Sequence, residues 1–149
     1  MRTLAIDLGT ARVGLALSDA AGTLSSPLTV LRITSQVQAI EKIIPIIEEE
    51  GVQRIVVGLP LNMDDSVGPA ALTAIAFGRQ LAQRSGQPVI YVDERLSSFQ
   101  AEQDLRDRKR SGEKITRNAK KQRLDALAAS VFLEAFLQQK LPAIDVDSI

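Results

Sequence analysis

Thr3–Leu8 (TLAIDL), Gly9–Thr10–Ala11 and Arg12–Ser18 (RVGLALS) decide the fold. The first segment is short and apolar and stops at a glycine, the signature of a buried strand. The three residues after it allow only a turn, and RVGLALS then reads as a second strand. Ser26–Leu31 (SPLTVL), beyond the Ala21–Gly22 turn, reads as a third. Strands this close in sequence pair antiparallel, because a parallel crossover needs a dozen or more residues. A helix directly after the first strand, as a flavodoxin-like fold requires, has no room.

Thr34 or Ser35 can cap a helix running to Glu50, with Val37, Ile40, Ile43, Ile44 and Ile47 on one face. Pro45 inside that pattern predicts a kink or broken turn. Arg54–Leu59 (RIVVGL) is apolar throughout, as parallel strands covered on both faces are. A Gly/Pro/Asp-rich loop over Pro60–Gly68 leads to a helix from about Pro69 to Arg84, with Asp65 or Ser66 available as its cap. Pro88–Asp93 (PVIYVD) is a fifth strand, Ser97 or Ser98 can cap another helix, and a last helix covers about Lys120–Gln139. Its apolar face is Leu124, Leu127, Ala128, Val131, Phe132 and Ala135. The tail beyond about residue 141 reads as poorly ordered. The order β-β-β-α-β-α-β-α-α predicts one α/β domain over residues 1–149. Its mixed five-stranded sheet, three antiparallel strands then two parallel, matches the RNase H-like fold.

Composition narrows the chemistry. Of 149 residues, 45% are hydrophobic and 24% charged, ordinary for a globular domain, but aromatics are only 3%. So few rings argue against a stacking platform for single-stranded bases. Cys and His are absent, which excludes disulfides, thiolate zinc sites, cysteine nucleophiles and any histidine base. A metal would have to be held by oxygens, favouring Mg²⁺ or Mn²⁺. Asp7 interrupts the first apolar run, unlike a signal peptide, and the uncharged stretch Ser66–Gly78 is too short to span a bilayer. A cytoplasmic protein without a membrane partner is expected.

The net charge is zero, yet nine of the 18 Lys and Arg lie between Arg106 and Arg123, against two acids, Asp107 and Glu113. The remainder is correspondingly acidic. A basic arm beside an acidic body suggests a polyanionic partner and a separate cation site; a solvated loop would have the same composition.

Three acids stand out. Asp7 lies in mid-strand, where a charge is expensive unless paired or metal-bound. Asp93 and Glu94 end the fifth strand, at the carboxyl edge where α/β sheets collect ligands. Strand alternation sends them to opposite faces, and the longer Glu94 is the better match to Asp7. Asp125 falls at the margin of the last helix's apolar face, beside Ala128, Ala129 and Phe132. Alone, each has a bland reading: an edge-strand Asp, a polar strand terminus, a helix-dipole partner. Together, close carboxylates invite a divalent cation, and two such ions can drive phosphodiester hydrolysis without His or Cys. Arg12, Arg95, Lys109, Arg110, Arg117, Lys120 and Lys121 are candidates to contact substrate phosphates. Asn62, Asp64 or Asp65 could touch substrate, or could simply close their loop.

These segments resemble the YqgF/RuvX family of pre-16S rRNA nucleases, also described as Holliday-junction resolvase-like. The matching residues are Ile6–Gly9, Arg12–Ala16, Ser18–Asp19, Val57–Pro60, Asp93–Ser98 and Asp125–Ala129, spread over about residues 3–139. The resemblance implies an RNase H-like fold, an acidic catalytic and metal site at Asp7, Glu94 and Asp125, and a role in maturing the 16S rRNA 5′ end. The family usually has Asp–Gly where this chain reads Asp64–Asp65. The expected partner is nucleic acid, either precursor rRNA or branched DNA, and the expected state a monomer or weak homodimer. Two other readings compete. Asp7–Thr10 is similar to the first phosphate turn of actin-like ATPases and sugar kinases, though a second phosphate loop is lacking. A module that binds nucleic acid without cutting it would need only the basic arm.

Overall fold

The computed structural model describes residues 1–95 and 117–148, apart from the side chains of 117–124. Five strands, β1 (Thr3–Leu8), β2 (Arg12–Ser18), β3 (Ser25–Arg32), β4 (Arg54–Leu59) and β5 (Val89–Asp93), form one sheet in the order β3-β2-β1-β4-β5. The first three pair antiparallel, while β4 runs parallel to β1 and to β5. The carboxyl ends of β1, β4 and β5 therefore lie side by side. This is the mixed RNase H-like sheet that the β-β-β-α-β-α-β order predicts.

Alternation along the strands sorts the side chains between two layers. Leu4, Ile6, Val13, Leu15, Ile55, Val57 and Leu59 face one way and form the larger core with α1 (Gln36–Glu50) and α2 (Pro69–Ser85). Ala5, Ala16, Val56 and Val92 face the other way, beneath Ala129, Phe132 and Leu133 of α3 (Arg117–Leu137). Alanines on the second face let α3 lie close to β2, β3 and β1. Leu127, Ala128 and Phe132 of the expected face are buried, joined by Ala126, Ala129 and Leu133, while Val131 and Ala135 are only partly covered. Asp125, partly exposed, stands one turn ahead of the buried Ala128 and Ala129, at the margin of that face.

Two expectations fail for local reasons. α1 runs unbroken through Pro45. Residues 41 and 45 both face solvent, so water can satisfy the carbonyl that proline leaves without a donor. Ser35 caps this helix, its hydroxyl accepting from the Gln38 N–H at 3.1 Å. α2 is capped by Gly68, not by Asp65 or Ser66; Asp64 instead accepts from the Ser66 backbone N–H and holds the loop closed.

The tail is also better held than expected. Ile144 bridges antiparallel to Tyr91 and packs with Val146 on the larger core, and a 3₁₀ turn follows at Val146–Ser148. The Ile144 N–H donates to the Tyr91 carbonyl at 2.7 Å, which covers the β5 edge. The helix expected from Ser97 or Ser98 lies outside the described residues. No described helix is long and apolar enough to cross a membrane.

Candidate active site

Asp7 sits near the carboxyl end of β1, on the face covered by α3, opposite Gly14 in the β1–β2 ladder. Gly14 has no side chain for a physical reason. A Cβ there would lie 2.3 Å from the Asp125 carbonyl oxygen and 2.5 Å from its carbon. The strand glycine thus lets the α3 backbone rest on β2, which brings Asp125 beside Asp7. Glu94 follows β5 and turns to the same face, as alternation from Val92 requires. Gly58 of β4 makes room for it: a Cβ at Gly58 would meet the Glu94 carboxylate at 2.7 Å and the Phe132 ring at 3.0 Å. An interior strand glycine marks a close approach of this kind. The sequence carries that signal at Gly14 and Gly58, each a glycine inside an apolar strand.

Electrostatics tie the three acids together. Asp7 and Glu94 share a hydrogen bond. Burial raises the Asp7 pKa above its ordinary value, and the charge of Asp125 adds to it, while the bond from Glu94 opposes the rise. Glu94 is pushed up to about 9, first by burial, then by the charge and hydrogen bond of Asp7, with Asp93 and Asp125 adding to the repulsion. At neutral pH Glu94 therefore holds a proton and donates it toward the Asp7 carboxylate. A site that keeps a proton between two acids is short of positive charge.

Asp125 meets its own cation. Arg12 Nε donates to Asp125 Oδ2 at 2.9 Å, with both side chains about one-third exposed. Arg12, expected on substrate phosphate, is thus held at the acid site. Asp7, Gly9, Thr10, Ala11, Arg12 and Asp125 line an open cleft of ≈ 190 Å³. Among the described residues no three acidic side chains form a ready-made metal cage: one pair is bonded to itself and the third acid to arginine. The donor set nevertheless fits Mg²⁺ or Mn²⁺, since it is all oxygen and its buried pair carries raised pKa values that a cation would lower.

Arg95 is also committed. Its Nε donates to Asp93 Oδ1 and Oδ2 at 2.9 and 3.0 Å, and Nη1 donates to the Asn62 carbonyl at 2.8 Å. Its Nη2 reaches Asp93 and Asp65. The arginine that sequence offered to a phosphate instead fastens the 60–66 loop to the end of β5. Asp93 is lowered in pKa by that contact and points away from Glu94. Asp65 has φ +68°, left-handed backbone that favours glycine, which is the physical sense of the Asp–Gly that the resembled family usually carries there. Of the loop acids, Asp65 holds Arg95 and Asp64 holds Ser66. Lys109 and Arg110 lie outside the described residues. Arg117, Lys120 and Lys121 fall in the first turns of α3, ahead of Asp125, with side chains outside the description.

Comparison with known proteins agrees with this architecture. A candidate pre-16S rRNA nuclease of Caldanaerobacter subterraneus subsp. tengcongensis is 36% identical over 94% of this chain and 98% of its own. One from an Anaeromyxobacter species is 43% identical over 92% and 96% respectively. Among solved structures, Thermus thermophilus RuvC superposes with TM-score 0.61 at 13% identity, covering 97% of this chain and 100% of that one. The same enzyme in complex with a Holliday junction gives 0.59 at 14% identity, covering 97% and 99%. These structural likenesses show the fold alone. Residues 1–139 match the model of the RuvX family, described as Holliday junction resolvase, and the chain belongs to that family.

Proposed function

We propose that this protein is a metal-dependent endonuclease that cuts structured RNA, acting at the 5′ end of precursor 16S rRNA. One observation carries the reading: the buried carboxyls of Asp7 and Glu94 share a hydrogen bond beside Asp125, at the carboxyl ends of β1 and β5. No structural need for such a charge-starved cluster is apparent, and a cation-dependent reaction gives it one. The names of the curated relatives support the choice of RNA.

Asp7, Glu94 and Asp125 would hold Mg²⁺ or Mn²⁺. When bound, such ions make water a better nucleophile and stabilise the leaving oxygen. The chain's own residues do the rest. To hold such an ion Glu94 would have to give up its proton and Asp125 its contact with Arg12. Arg12, which lines the cleft, would then be available to a phosphate oxygen. Lys109, Arg110, Arg117, Lys120 and Lys121 would grip flanking phosphates, which makes binding salt-dependent. A cytoplasmic location follows from the substrate.

The test incubates purified protein with Mg²⁺ or Mn²⁺ and, in parallel, a precursor rRNA end and a four-way DNA junction. Asp125→Asn is the control. Metal-dependent cutting of the RNA, lost in the control, is expected. Cutting of the junction alone would favour resolution of branched DNA, a second reading that the family description and the RuvC fold support. Binding without any cutting would reduce the protein to a recognition module.

A further inference from the structure

The Gly9–Thr10 turn has two sides. One lines the acidic cleft; the other lines a separate cavity of ≈ 320 Å³ between the starts of α1 and α2. Leu8, Ile33 and Pro60 supply its apolar walls, and Thr10, Gln36 and Thr73 supply polar groups. No charged side chain among the described residues lines it. The volume is at the low end for a small-ligand pocket, fitting one planar heterocycle rather than a length of chain.

The chemistry of the lining selects the occupant. A phosphate would be favoured by cations, and none is among the described residues that line the cavity. An aliphatic side chain would gain nothing from the amide of Gln36 or the hydroxyls of Thr10 and Thr73. Those three groups make no hydrogen bond to any described residue, so they are available to a ligand. A nucleobase has what this lining lacks: two apolar faces for the aliphatic walls and a polar edge for an amide that both donates and accepts. Position gives the second argument. The cavity and the acidic cleft share Gly9 and Thr10, so a base here would lie across that turn from a phosphate in the cleft. RNA is read in this way, by bases splayed out of the strand.

We propose that this cavity receives one base of the strand being cut, swung out beside the scissile phosphate. The proposal rests on the nuclease reading for its choice of substrate. It also removes a difficulty of the composition, because a pocket can recognise a base without the aromatic platform that this chain lacks.

The test uses short RNAs spanning the precursor cut site, with 2-aminopurine at successive positions, titrated with Asp7→Asn protein so that no strand is cut. The fluorescence of 2-aminopurine is quenched by stacking, and no aromatic ring among the described residues lines the cavity. One labelled position should therefore brighten severalfold at saturation. Thr73 is exposed on α2, so Thr73→Phe fills the cavity without disturbing the core. It should abolish the rise and weaken binding about tenfold, the scale of losing one recognised base. Ala70→Leu, on the same exposed rim, repeats the test should the first variant fold poorly. No brightening at any position, or brightening that survives both variants, overturns the proposal. Parallel cleavage by the otherwise unaltered protein separates the two ideas. Cutting that ignores the cavity variants sinks the base site alone, and brightening without Asp7-dependent cutting sinks the nuclease reading alone.

Discussion

A methyl group added at Gly14 tests how the acid site is assembled. In Gly14→Ala the new Cβ would lie 2.3 Å from the Asp125 carbonyl oxygen and 3.0 Å from the Ala126 nitrogen. Ordinary non-bonded contact begins near 3.5 Å, so the start of the α3 segment must retreat by about 1 Å. Both contacts are backbone, in a helix whose next turns are clamped by Ala129, Phe132 and Leu133, so no side-chain rotation relieves them. Overpacking of this kind costs about 1–3 kcal/mol. For a chain of this size that lowers Tm by roughly 2–4 °C per kcal/mol. The retreat also carries Asp125 away from Asp7, and a misplacement of that order costs about a hundredfold in rate. Thermal unfolding by circular dichroism and single-turnover cleavage of the RNA measure the two effects on the same preparation. Normal stability together with normal cleavage in Gly14→Ala would refute the idea that this glycine seats the acid-bearing helix.

Gly58→Ala should behave differently, because its closest obstacle is the movable Glu94 carboxylate at 2.7 Å. Cleavage should fall at least tenfold while Tm drops by less than in Gly14→Ala, as paired melts and rate measurements would show. The raised carboxyls predict a pH effect in metal-free protein. The folded protein keeps a proton on Glu94 up to about 9, whereas the unfolded chain releases it near the ordinary value of 4.5. That contribution to stability is whole below the lower value and is lost as pH rises through the upper one; Asp7 adds in the same direction. Melts in EDTA should show Tm falling across that window, and Glu94→Gln should flatten the slope. Arg95→Gln removes the tie between Asp93, Asp65 and the Asn62 carbonyl. It should loosen the 60–66 loop, raising its amide hydrogen exchange, and slow cleavage several-fold through Glu94. Ile144→Ala at the docked tail should cost about 1–2 kcal/mol, less than a fully buried Ile because the site is only partly covered, measured by urea unfolding.

Strand identity was legible because it is local. TLAIDL, RVGLALS and RIVVGL are apolar runs ended by Gly, Pro or a polar turn, and the three-residue gap at Gly9–Ala11 by itself forced an antiparallel pair. Alternation also settled that Asp93 and Glu94 diverge, since period two is fixed by the pleat. Chain-local pattern could not show how close two elements approach. That depends on side chains that are missing, at Gly14 and Gly58, and on the alanines beneath α3. Nor could it tell who neutralises whom. Arg12 and Asp125 stand far apart in the chain, and only the docking of α3 on β2 makes them partners. Arg95, an apparent phosphate ligand by type, is consumed by Asp93 and the loop because its guanidinium fans out between them. Residue order thus dictated the sheet and named the three acids. Tertiary packing alone decided that two of them share a proton and the third faces an arginine, because burial and distance set charge, and neither is written along the chain.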